Sequence, residues 1–225
     1  MKNMSIKDIL NEIKINYKIL MDTKLVVCAI VFSIIPLVLK IESWTNGYIV
    51  VLFEVFLPLV AGFFFSDLIS IDKINKCDEV VEVNSTKKYK TLIVRMIIQV
   101  INMVSVELLL LIVLLVKCAI LKNSNLLNTN FLLLTFLFIA NSVLISCISN
   151  LIIVITNRSI LGIMGAFFYW IIWQIGDIQN IFNPFAYSLG FNNYGQNKLV
   201  NICLSLIIFL VILLIYNRKK HESNN

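Results

Sequence analysis

The chain has 225 residues, 59% hydrophobic and only 14% charged, with a mean hydropathy of +0.90; an average soluble domain carries roughly 25% charged residues. Too little polar surface exists to clothe an ordinary soluble fold, and the length suits one membrane domain, 1–225, with no separate soluble enzyme domain. The net charge of +6 comes from basic residues beside apolar runs, which points to membrane orientation and anionic lipid rather than nucleic acid.

In chain order, residues 5–22 form an amphipathic pattern. Ile6, Ile9, Leu10, Ile13, Tyr17 and Leu20 share one helical face, and Lys7, Asp8, Asn11, Glu12, Lys14 and Lys18 fill the rest. This predicts a helix lying in the cytoplasmic membrane interface, the alternative being a solvated helix packed on a soluble neighbour. Six apolar runs follow: about 25–39, 48–66, 92–116, 131–155, 159–175 and 199–216. Spanning hydrocarbon takes about 20 apolar helical residues, so the fold expected is an all-α membrane protein with six transmembrane helices. The fourth and fifth runs meet around Asn157 and Arg158, which predicts a tight antiparallel hairpin.

Two connectors stand out. Residues 67–91 carry Asp67, Asp72, Asp78, Glu79 and Glu82 before Lys87, Lys88 and Lys90, interleaved with Ile69, Ile71, Ile74, Val80, Val81 and Val83. That is too apolar for a floppy linker and predicts short helices and a docking surface. Residues 176–198 hold Phe182, Phe185, Tyr187, Phe191 and Tyr194 among Gly176, Pro184, Gly190 and Gly195. Short re-entrant or surface helices, or a plain aromatic belt at the interface, both fit.

Six spans put both termini on one side. The segments on that side carry 15 Lys and Arg residues against 4 on the other, Lys40, Lys117, Lys122 and Lys198. Basic residues favour the cytoplasm, so both termini and the 67–91 connector are expected inside, in a multi-pass protein of the cell membrane. No cleavage site of the A-x-A kind follows the first apolar run, so no signal peptide is expected.

The chemistry missing from the sequence narrows the function. His221 is the only histidine, and it lies in the polar tail, which argues against metalloprotease or histidine-based hydrolysis. No expected span holds an Asp, so a two-aspartate mechanism inside the membrane has no residues. Cys28, Cys77, Cys118, Cys147 and Cys203 show no C-x-x-C spacing, and no metal site is expected. No phosphate-binding loop of the G-x-x-x-x-G-K-S/T type occurs. The chain is not expected to be an enzyme by itself or to bind a cofactor.

Two carboxylates fall inside spans, Glu54 and Glu107. Glu54 lies four residues before Pro58, whose missing N–H frees the carbonyl of residue 54. Intramembrane carboxylates face protein interior or a wet cavity, so each is a candidate for a translocation path or for a structural hydrogen bond. Thr135, Ser142, Ser146 and Ser149 share a face of the fourth span, as Gln99, Asn102 and Ser105 do in the third. Such faces pack helices or line a path. The path candidates are Glu54, Gln99, Asn102, Glu107, Ser142 and Ser146. Gly162 and Ala166 form a small-xxx-small pair for close helix approach.

This layout resembles the membrane subunit of an ABC exporter of the type-2 permease class. An amphipathic helix precedes the first span, a charged loop joins spans two and three, and a Pro- and aromatic-containing segment precedes the last. Within residues 71–91, Asp72, Lys73, Asp78, Glu79, Val80, Ser85, Thr86 and Lys87 follow the order seen in that family. Lys87 stands where the family has Pro after Ser-Thr, and the Gly before the Glu is absent. Asn183, Pro184 and Phe185 are similar to a short motif in the same outside segment. The resemblance implies that residues 5–22 are the elbow helix. It also implies a coupling helix in 67–91, with Asp72, Asp78, Glu79, Val80 and Glu82 against a separate ATPase subunit that holds ATP and Mg. A second permease chain, identical or sister, would complete the unit. Cargo classes in such exporters include peptides, drugs and lipids, antimicrobial peptides among them. Two rival readings use the same residues differently: a membrane immunity or assembly factor that transports nothing, and a proton-coupled carrier working through Glu54 and Glu107.

Overall fold

A computed structural model describes residues 11, 13–18, 23–38, 46–64, 88–121, 130–176, 180–190 and 192–223. The described residues are helical or in turns, with no strand among them. We number the helices α1 (Thr23–Val38), α2 (Asn46–Val51, Leu52–Phe56 and Leu57–Phe64 in one run), α3 (Lys88–Leu121), α4 (Phe131–Thr156), α5 (Ser159–Ile175) and α6 (Tyr194–Ser223). The described residues of each expected apolar run lie on one of these helices. Residues 13–18 of the amphipathic segment are helical too. The 67–91 connector, with Asp72, Asp78, Glu79, Val80 and Glu82, lies outside the described residues until α3 begins at Lys88.

Three stretches are long and apolar enough to cross a membrane: Thr91–Leu121, Leu132–Thr156 and Tyr194–Arg218. Tyr48–Val60 and Ser159–Ile175 are shorter apolar helices. Against the six spans expected, three stretches reach that length among the described residues; the 16 described residues of α1 alone give a rod of about 24 Å. Outward-facing apolar side chains run along the bundle, including Ile30 and Ile34 of α1, Ile112 of α3, Phe168 of α5 and Leu210 and Leu214 of α6. A helical membrane protein fits this surface, since lipid rather than water can face it.

The centre of the bundle is α4, which packs against α2, α3, α5 and α6. Its ends are sharply defined. Asn130 caps the start, its Oδ1 accepting the Leu133 N–H at 3.2 Å. Asn157 ends it in the left-handed conformation at φ 56°, one of the few side chains that tolerates that backbone. Ser159 opens α5 two residues later, giving the tight hairpin expected. Its packing is close because Gly162 has no side chain: a Cβ there would lie 2.7 Å from the Ser149 carbonyl oxygen and 2.3 Å from Ile153 Cγ1. Ala166, one turn on, is buried as well.

One apolar core joins α2, α3 and α4 through Phe53, Leu57, Met103, Leu110, Leu134, Leu137 and Phe138. A smaller one joins α3, α4 and α6 through Leu92, Val154 and Ile212. Polar ties add direction. Lys117 Nζ donates to the Leu37 carbonyl of α1 at 2.9 Å. Arg95 Nε donates to Asn16 Oδ1 at 2.8 Å, both residues buried. This tie sets the roll of the amphipathic segment: Asn16 faces α3, while Ile13 and Tyr17 of the apolar face point outward.

Candidate functional site

The site begins in the middle of α2. Pro58 cannot donate to the Glu54 carbonyl, and residues Leu52–Phe56 widen into a π-helical segment in which the Leu57 N–H bonds to the Leu52 carbonyl. Widened segments of this kind leave carbonyls unpaired and recur at functional sites. Two side chains from neighbouring helices take them up. Asn141 Nδ2 of α4 donates to the Glu54 carbonyl at 2.8 Å, and Trp170 Nε1 of α5 donates to the Val55 carbonyl at 2.9 Å. The acceptor that Pro58 sets free is thus filled by an asparagine 87 residues away in sequence.

The Glu54 side chain points into the protein and is fully buried. Lys198, near the start of α6, is fully buried as well, and its Nζ lies 2.6 Å from Glu54 Oε1. The Tyr187 N–H donates to Oε1 at 3.0 Å and the Ser188 N–H to Oε2 at 2.5 Å. The three ammonium donors of Lys198 are matched by three acceptors: Glu54 Oε1, Asn141 Oδ1 at 3.0 Å, and the Pro184 carbonyl. Asn141 is the hub, because its Nδ2 also donates to the Pro184 carbonyl at 2.8 Å. A buried ion pair persists only when its remaining hydrogen-bonding capacity is met, and here all three ammonium donors and both carboxylate oxygens have partners.

Residues 180–190 close this site. Short re-entrant or surface helices were one expectation for this stretch; the described residues 180–190 instead form turns, and α6 takes over at Tyr194. The reason lies in the local chemistry. Asn183 Oδ1 accepts the Phe185 N–H at 2.9 Å, a side-chain turn that competes with helix. Gly190 adopts φ 75°, a conformation that glycine takes without strain. Asn197 Nδ2 donates to the Ile181 carbonyl at 2.5 Å and the Asn183 carbonyl at 2.6 Å. Backbone groups of this stretch are therefore met by side chains of α2, α4 and α6. Its middle, residues 183–186, is buried, with Phe185 edge-on to Trp170 at a centroid distance of 6.5 Å.

The other candidates are distributed differently. Glu107 on α3 is fully buried, and neither carboxylate oxygen makes a hydrogen bond of normal geometry among the described residues; the Thr135 side chain of α4 is the polar group beside it. Gln99 and Asn102 are buried on α3. Ser105 is exposed and bonds to the Ile101 carbonyl of its own helix, because two successive offsets of three residues drift round the helix. Ser142, Ser146 and Ser149 are buried on α4 with no partner for their hydroxyls among the described residues. Ser149 lies at the Gly162 crossing with α5, so part of this stripe serves close packing.

Sequence reading did not single out Lys198, Asn141, Asn197 or Asn201 for the site. Lys198 counted only as an outer-side charge flanking the last span. The available signal was the spacing of Lys198, Asn201 and Ser205, offsets of three and four on one face of an otherwise apolar helix. No protein-family model, curated protein or solved structure matches the chain.

Proposed function

We propose that the chain is the permease subunit of an ATP-driven exporter of the ABC type-2 class, with six membrane spans and both termini cytoplasmic. ATP and Mg would sit on a separate ATPase subunit, and the cargo would be an amphipathic molecule such as a peptide, drug or lipid. The observation that carries this reading is the pairing of a broken second helix with a turn segment that folds back into the bundle just before the last helix. Glu54 in the π-helical part of α2 holds Tyr187 and Ser188 of that segment. A bundle built only as a scaffold has no need of a charged, saturated joint at its interior, since apolar packing gives as much stability.

Further support comes from the ends of the chain. The acidic-then-basic connector of 67–91 enters α3 seven residues before Arg95, which ties the amphipathic segment through Asn16. α3 and the amphipathic helix are thereby tied near the end of α3 that follows the connector, the side that the Lys and Arg distribution assigns to the cytoplasm. Of the rival readings, the proton-coupled carrier loses ground at Glu54, whose carboxylate is already neutralised by Lys198. It keeps Glu107 as a candidate.

The test uses the purified chain with its ATPase partner in lipid vesicles. Combined Asp78→Asn, Glu79→Gln and Glu82→Gln substitution is expected to cut ATP-dependent cargo movement at least several-fold while the ATPase subunit still hydrolyses ATP. Unchanged movement would remove the connector from the coupling path and with it the ABC reading.

A further inference from the structure

We propose that Glu54 and Lys198 are the latch of a gate, and that the gate leaf is the 180–190 segment. The leaf is attached to the bundle by polar bonds as well as by the buried Phe185 and Ala186, and has no helix of its own. Glu54 holds it at Tyr187 and Ser188, Asn141 and Lys198 at Pro184, and Asn197 at Ile181 and Asn183. Charged, directional bonds of this sort are lost together when one partner moves, whereas an apolar contact slackens gradually. Release is local because α4 and α5 are locked to each other by the Gly162 crossing, away from the leaf.

What lies beside the latch supports an opening element rather than a static plug. Asn201, one turn after Lys198, is fully buried, yet its Oδ1 has no partner among the described residues. Its Nδ2 reaches Asn141 Oδ1 and Asn197 Oδ1 only at 3.5 Å each, the outer limit of a hydrogen bond. A polar group this poorly met in the closed state gains partners when water or a polar ligand enters. Opening the latch therefore uncovers an under-satisfied polar face of α4 and α6.

The polarity of the latch is fixed by backbone groups. Two N–H donors face position 54, and the Pro184 carbonyl faces position 198. Exchanging the charges would set a cation against N–H donors and an anion against a carbonyl, so the swapped pair cannot close the leaf.

Calling the device a transport gate rests on the exporter reading; the latch itself does not. Hydrogen–deuterium exchange on the full chain in lipid nanodiscs tests it, comparing the native protein with Lys198→Met and with the double charge swap Glu54→Lys, Lys198→Glu. Native amides at Tyr187 and Ser188 are expected to be protected. In Lys198→Met their exchange should rise roughly 10- to 100-fold, what one charge-assisted hydrogen bond is worth, while peptides from 141–156 and 159–175 stay protected. The charge swap should resemble Lys198→Met. Protection unchanged in Lys198→Met, protection restored by the swap, or loss throughout the bundle (a variant that does not fold included) would each overturn the latch. If the chain captures no ATPase subunit yet shows the local opening, the exporter reading fails and the latch stands.

Discussion

The ammonium of Lys198 lies 2.6 Å from the carboxylate of Glu54, and neither side chain touches solvent or lipid. The two residues lie 144 positions apart in the chain, and Asn141 of the central helix bonds to both. Truncating one member leaves the other charged, buried and unpaired. Lys198→Met and Glu54→Gln alone should each lower stability by about 3–5 kcal/mol. The combined Glu54→Gln, Lys198→Met change should cost distinctly less than the sum of the two. Unfolding in mixed micelles, analysed as a double-mutant cycle, reads this directly; additive losses would mean that the pair contributes nothing as a pair.

Glu107 offers the contrast. It is as buried as Glu54, yet it holds no cation and no backbone N–H among the described residues. Glu107→Gln keeps the shape and removes no ion pair, so its stability loss should stay below about 1 kcal/mol. The same unfolding assay applied to both Gln substitutions checks the difference. A loss at Glu107 equal to that at Glu54 would show that it too has a bound cation partner.

The hairpin of α4 and α5 depends on the missing side chain at Gly162. A methyl group there meets the Ser149 carbonyl at 2.7 Å, and backbone cannot yield as a flexible side chain can. Gly162→Ala should destabilise by about 1–3 kcal/mol through overpacking, despite the better helix propensity of alanine. Gly195, in the first turn of α6, has nothing within 4 Å of its added Cβ, so Gly195→Ala should be neutral or stabilising by up to about 1 kcal/mol. Thermal unfolding of the two variants side by side decides it.

Arg95 and Asn16 tether the amphipathic segment, on which Lys14 and Lys18 are exposed. Arg95→Ala should free that segment and speed tryptic cleavage at Lys14 and Lys18 by roughly 5- to 30-fold, the equivalent of 1–2 kcal/mol. Unaltered cleavage kinetics would show that apolar contact with lipid or protein, not this bond, positions the segment.

Helix placement was legible because it rests on local quantities. Runs of apolar residues, Asn157 and Arg158 between α4 and α5, and the Gly162–Ala166 spacing all act within a few residues of chain. The carbonyl freed by Pro58 was legible for the same reason. Its partner was not: nothing near Asn141 marks that amide as facing α2. Lys198 was hidden for a different reason. A lysine at the start of an apolar run looks like an interfacial flank, and only the fold of 180–190 over it makes it interior. The turns in that segment rest on Asn183 and Gly190 locally, but its seat against the bundle follows from bonds made by Asn197, Asn141 and Glu54, which lie beyond the reach of local propensity.

Topology needs a suitable probe. Cys118, near the end of α3, is packed in the core with Leu114 and Leu121, so a thiol reagent reaches it slowly from either side. Asn193 is exposed just before α6. An Asn193→Cys protein in a background without the native cysteines should react with an impermeant thiol reagent on intact cells, and a protein keeping Cys77 alone should react only in inverted vesicles. The opposite pattern would place the 67–91 connector outside the cell.

The exporter reading stands or falls on a nucleotide-binding partner. Affinity purification of the tagged chain from native membranes in mild detergent should bring down a stoichiometric ATP-binding subunit, and the complex should hydrolyse ATP. Recovery of the intact chain with no ATP-binding protein, under conditions that preserve its fold, would contradict the account.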